Sequence, residues 1–224
     1  DDNSKESFMR FFNSKTKNVD RVWSTTDQKM EDILRNIAIS KSNGRVAICI
    51  YHFLDAEKYL PNFFSNRNII FHKLRALSEL DSVTPEKWLQ TTDAVIFNSD
   101  LISQADIGGK RGFISNTKIK FELHIIEHYP IPSRDEKVLS YAASRSDISG
   151  LTSYVALTEP WISKIMGARV IELLDKMGLN ENEVIEHQLV SSSLRKAQIE
   201  IAKRMRRDFP YDSVEEWLKG NLLD

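Results

Sequence analysis

Residues Arg45 to Phe53 read RVAICIYHF. The run is continuously apolar and β-branched, and it is too short for a buried helix. Such a run fits a central strand of a parallel sheet, buried on both faces. Two later runs carry the same signature, NIIFHKL (Asn68–Leu74) and DAVIFNS (Asp93–Ser99). Helical text separates them. LDAEKYLPNFFSN (Leu54–Asn66) is expected to kink or end near Pro61, whose ring opposes a helix interior. PEKWLQT (Pro85–Thr91) places its proline at the first helical position, where no N–H is missed. Upstream, DRVWSTTDQKMEDILRNIAISKSNG (Asp20–Gly44) reads as a short strand, a cap among Ser24–Thr26 and an amphipathic helix. Met30, Ile33, Leu34 and Ile37 form its apolar face. Strands alternating with helices predict an α/β fold with a parallel sheet over about residues 19–164.

Downstream of that body the chain turns helical. Ala168–Met177 reads as a short helix closed by Gly178, and Asn180 or Asn182 as the cap of a longer one over about residues 183–207. On the longer helix Val190, Leu194, Ala197, Ile201 and Met205 recur at spacings of four, three, four and four, which draws one apolar stripe. That stripe is the expected interaction face, docked on the α/β domain or on a partner. The basic cluster near Lys203–Arg207 suits the negative end of the helix dipole. Residues 165–224 are thus expected to form a helical appendage, with PYDSVEEWLKG as a short closing helix. Residues 1–18 read as a polar tail with an aromatic island at Phe8, Phe11 and Phe12.

Composition sets the outer bounds. The chain has 224 residues, 41% hydrophobic and 28% charged, as ordinary soluble globular proteins do. A net charge of −1 gives no global argument for nucleic acid or an anionic membrane. No apolar run approaches a membrane span and no signal-peptide pattern opens the chain, so a cytoplasmic location is expected. The single cysteine, Cys49, falls inside an apolar strand run and reads as a buried thiol. The opening DDNSKES lacks a methionine, as a piece of a longer protein would. The five histidines are scattered without C-x-x-C or carboxylate spacing, so no metal is expected. His124 and His128, if both on one strand, would face the same side.

The run RVIELLDKMGLNENEVIEHQLVSSSLRKAQ (Arg169–Gln198) resembles the bacterial SecA preprotein-translocation ATPases. The carrying features are MGL, then E-VIEH, then the register of Ser191, Ser193, Ala197 and Gln198. In that family a similar segment leaves the second nucleotide-binding domain and begins the scaffold helix. The upstream text VWSTTDQK, RVAICIYHF, IIFH and VIFN follows the family's order, and KIKFELHIIEHYPIPSRDEKVLSYAASRSDISG resembles its stretch around L-H-V-I-G-T-E-R-H-x-S-R. The resemblance covers about residues 19–207. It implies a RecA-like, helicase C-terminal domain and a role in protein translocation.

The family's chemistry is only partly carried. No G-x-x-x-x-G-K-[ST] phosphate cradle occurs, and Gly108-Gly109-Lys110 lacks its spacing. Against the family run Q-L-R-G-R-A-G-R-Q-G-D, residues Val138–Asp147 keep Leu139, Ala143 and Arg145. Ser140 and Ala142 stand where the first arginines would be. The run N-M-A-G-R-G-T-D-I is reduced to Asn98 and Asp106-Ile107. By this resemblance Arg145, Asp106, Arg134 and Asn98 are the nucleotide-facing candidates, with no catalytic residue among them. Arg145 reads otherwise as a helix-end salt bridge, Asp106 as a solvated loop acid, and Arg134 as a helix-start pair with Asp135 or Glu136.

Three functions fit. A degenerate SecA-like second motor domain would serve as a protein-interaction or structural module of a larger protein, with no cofactor. An active motor half would bind ATP only beside a Walker-containing first domain, its missing partner. An unrelated α/β enzyme would hold a nucleotide at its strand ends. Loss of the Gly-Arg-Gly run and of the paired arginines favours the silent module.

Overall fold

A computed structural model describes residues 18–104, 118–164, 182–205 and 207–222. Strands β1 (Asn18–Trp23), β2 (Arg45–Tyr51), β3 (Phe71–Lys73), β4 (Ala94–Asn98), β5 (Lys120–Ile125) and β6 (Ile148–Ala156) form one sheet in the order β1-β6-β5-β2-β4-β3. Every pairing is parallel. Crossovers run through α1 (Thr26–Ser42), α2 (Ala56–Ser65), α3 (Leu77–Ser82), α4 (Pro85–Thr91), α5 (Asp100–Gln104) and α6 (Pro132–Ser144); α7 (Gln188–Arg204) and α8 (Val214–Asn221) follow the sheet.

Pleat alternation divides the core. On one face Ala47, Cys49, Tyr51 and Ile96 meet Ile33 and Ile37 of α1 and Leu60 and Phe64 of α2. On the other, Val46, Ile48, Ile50, Phe97, Leu123 and Ile125 meet Leu80 of α3, Trp88 of α4, Ile102 of α5 and Val138 of α6. β2 and β4 are buried along almost their whole length, the condition that a continuous apolar run satisfies.

Local chemistry fixes the ends. Thr25 caps α1, accepting from Gln28 N–H while the Gln28 side chain accepts from Thr25 N–H. Thr84 caps α4, with Pro85 in its first turn. Pro61, expected to kink or end its helix, lies inside α2, which continues to Ser65. The lost backbone bond is outweighed there by full burial of Leu60 and Phe64.

The long C-terminal helix begins at Gln188, capped by His187, rather than near residue 183 under an asparagine cap. The cause is tertiary. Ile185 and Val22 exchange both backbone hydrogen bonds, at 2.9 and 3.1 Å, which holds the preceding residues extended against β1. Arg21 pairs with Glu186 at the same place. Val190, Leu194, Ala197 and Ile201 are buried in a third cluster with Val22, Tyr129, Val155 and Trp161 of the body and Trp217 of α8. Three such fully buried side chains contribute about 6 kcal/mol as an upper figure. Met205 ends the helix half-buried and bridges Leu222. The aromatic island at residues 8–12 and the expected helix Ala168–Met177 with Gly178 lie outside the described residues.

Candidate functional site

In parallel α/β sheets ligands gather where the strands end. Along this edge the chain passes from β2 to His52, from β4 to Ser99, and from β5 to Glu127 and His128. Asn98 closes β4. Its side-chain amide donates to the His52 carbonyl at 3.2 Å, and its oxygen accepts from Asp100 N–H at 2.8 Å. Arg134, in the first turn of α6, donates to Asp100 at 2.6 Å and lies 4.4 Å over the Tyr129 ring. Asp208 stands 3.9 Å from its Nε. Asn98 and Arg134 thus meet through Asp100. The expected pairing of Arg134 with Asp135 or Glu136 does not form, because Asp135 turns inward and Glu136 pairs with Arg195 of α7.

Arg145 lies elsewhere. It follows the last turn of α6, at the edge where the strands begin, eleven positions from Arg134 and so about 16 Å along the helix axis. Its guanidinium grips Asp147 bidentately, at 3.0 and 2.7 Å, and pairs with Asp81 at 2.9 Å. Burial works against its charge, yet the Asp147 hydrogen bonds, Tyr141 and the charges of Asp147 and Asp81 hold its pKa above the ordinary arginine value. This is the helix-end salt bridge, and every donor face of the fork that touches an acid is taken. Asp106 lies outside the described residues.

A second constellation at the strand-end edge escaped the sequence reading. Tyr51 and Asn98 are in register on β2 and β4, so the next residues, His52 and Ser99, come side by side. His52 Nδ1 and Ser99 Oγ are 2.8 Å apart. His52 Nε2 stands 2.9 Å from Oδ1 of Asp135, an ion-pair distance without hydrogen-bond alignment. His128 Nδ1 bonds the other Asp135 oxygen at 2.7 Å, and its Nε2 is 3.4 Å from Asp20 of β1. Asp135 also accepts from Tyr129 N–H at 3.1 Å and from the Gln198 amide of α7 at 2.6 Å. Burial opposes ionisation of Asp135, but the His128 charge and hydrogen bond, with His52, hold its pKa well below the carboxylate range. Burial likewise opposes the His128 proton, and Asp135 and Asp20 overcome it, raising its pKa well above the usual histidine value.

Hydroxyl, imidazole and carboxylate follow one another here as in a hydrolytic triad. Ser99, His52 and Asp135 are 5%, 3% and 5% exposed, so the array is enclosed. Beside it Lys29 and Glu159 form a buried pair at 2.7 Å, and Glu127 accepts from His52 N–H and Phe53 N–H. His124 and His128 do not share a strand face. β5 ends at Ile125, and His124 points to the opposite side, between Ser40 and Tyr154. Among the described residues no cluster of three or more His, Cys, Asp or Glu could hold a metal, and no helix is long and apolar enough to cross a membrane.

The site thus sits on a parallel six-stranded sheet with helices on both faces, closed by α7 and α8. In sequence the chain is similar to SecA proteins. It is 24% identical over 204 residues to protein translocase subunit SecA of Cytophaga hutchinsonii, an alignment covering 87% of this chain and 18% of that protein. SecA of Alkaliphilus oremlandii is 32% identical over 84 residues, covering 37% of this chain and 9% of its own length. The chain spans about a fifth of the length of the curated relatives that it matches most fully, 18%. No family model matches it. Among solved structures, the C-terminal part of the Fun30 ATPase domain covers 76% of this chain and 54% of its own, with 13% identity and a TM-score of 0.39. Nothing further follows from so distant a likeness.

Proposed function

We propose that this chain is a degenerate SecA-like second motor domain serving as a protein-interaction or structural module within a larger protein. One observation carries the reading. Arg145, the one arginine surviving in the run where the family keeps several, is consumed by Asp147 and Asp81. It also stands at the opposite edge of the sheet from Asn98 and Arg134. Stabilising a transferred phosphoryl group requires an arginine free to face it together with a cradle for the other phosphates. Neither an unengaged Arg145 nor a Walker-type loop is available in this sequence.

Calorimetric titration of the chain with Mg-ATP, beside a phosphate-release assay, tests the proposal. The expected result is no saturable binding at micromolar nucleotide and no turnover. Saturable micromolar binding that Arg145→Ala removes would instead support the motor half, in which a Walker-containing domain supplies the cradle. That second reading draws on the alignment with SecA over 87% of the chain. Under it, ATP and a first nucleotide-binding domain become the cofactor and the partner.

A further inference from the structure

His128 occupies an unusual position, between two buried carboxylates that belong to different elements. Asp20 reaches it from β1 and Asp135 from α6, with side-chain exposures of 12% and 7%. Each carboxylate also faces α7, Asp135 through a hydrogen bond. Ser191 stands beside Asp20 and favours its charged form. Asp135 accepts from Gln198, whose amide donates also to the Tyr129 carbonyl at 2.7 Å. The remaining groups around the imidazole are few. His52 faces it across Asp135 from the end of β2, Ser153 of β6 lies in register with Asp20, and Arg134 and Asp208 sit beyond Tyr129.

We propose that His128 is a proton-operated latch for α7: as an imidazolium it holds Asp20 and Asp135 together by charge, and through the Gln198 bond to Asp135 that tie holds the helix on the sheet. A neutral imidazole has one N–H and can serve one carboxylate. Asp135 would keep it least urgently, since Tyr129 N–H, Gln198 and His52 still face it. Either way the cation between two enclosed negative charges is gone, and Asp20 loses its counter-charge. A buried carboxylate so stripped draws water towards itself, and the contact that opens to admit it is the one between β1 and the first turns of α7. The sheet keeps its own ladder throughout. The latch therefore loosens one helix in response to rising pH and leaves the α/β core closed.

The test follows His128 and α7 in the same sample. Imidazole proton shifts of the full chain are recorded by NMR from pH 6 to 9, with amide hydrogen exchange corrected for intrinsic rates. The expected result is a His128 ring that stays protonated above the ordinary histidine range. As it titrates, protection of the amides near Ser191–Leu194 falls by roughly tenfold per pH unit while β2 and β4 are unchanged. Asp20→Asn shifts both transitions together to lower pH. If that variant does not fold, His128→Asn supplies the second arm, with α7 protection low and independent of pH. Protection of α7 that stays constant while His128 loses its proton would overturn the latch. So would a His128 ring already neutral at pH 6, or an α7 transition that Asp20→Asn leaves in place.

Discussion

His124 shows how one buried ring sets a pH limit. It is 2% exposed, shared between Ser40 and Tyr154, and burial lowers its pKa to about 4, against partial opposition from Glu122 and Asp32. The unfolded chain, with a pKa near 6.5, binds the proton more readily. Stability from this residue is therefore complete above about pH 6.5 and is lost as pH falls towards 4, by on the order of 3 kcal/mol. Urea unfolding between pH 4 and 7 should show that acid limb, and His124→Gln should flatten it. Arg145 gives a second prediction. Arg145→Ala strands Asp147 and Asp81 and should cost about 3 kcal/mol in denaturant unfolding. A loss below about 0.5 kcal/mol, the usual size for a surface change, would count against the buried fork. The salt-bridge alternative for Arg145 could be weighed in the sequence because Asp147 is two residues away. The wiring of His52, Ser99, Asp135 and His128 could not. It depends on which strand neighbours which, and on Tyr51 facing Asn98 rather than the residue before it.

Elements were legible where one physical cause dominated. β2 and β4 declare themselves because a strand buried on both faces must be apolar throughout, and the alternation with helices implied the parallel sheet. Helix limits were less legible when long-range pairing decided them. Asn180 and Asn182 are good capping residues by type, but the backbone exchange between Ile185 and Val22 postpones helix formation to Gln188. Pro61 is the reverse case, a local breaker overruled by packing. Pro61→Ala should restore a helical donor and raise stability by about 1 kcal/mol, seen as a higher melting temperature. On α7, Leu194 is 2% exposed and lies in the cluster shared with the body. Leu194→Ala should cost about 3 kcal/mol, whereas the same change at Leu189, 59% exposed, should be nearly silent.

At the scale of the molecule, α7 and α8 supply one wall of an apolar cluster whose other wall is Val22, Phe53, Tyr129, Val155 and Trp161. A chain stopped at residue 164 should therefore expose that wall, bind a hydrophobic dye strongly and lose solubility, while the full chain does neither. The strand order carries a different consequence, one of timing. β1 has a single strand neighbour, β6, and Asn18 pairs with Leu151. A ribosome writes the first strand long before it writes the strand that receives it. Through that interval β1 is a waiting guest, and this edge of the sheet is completed by a segment made well before its partner. Closure over so long a chain separation is slow. Trp23, at the end of β1 and 7% exposed, should report it as a late fluorescence phase in refolding, after the Trp88 side of the sheet has already formed.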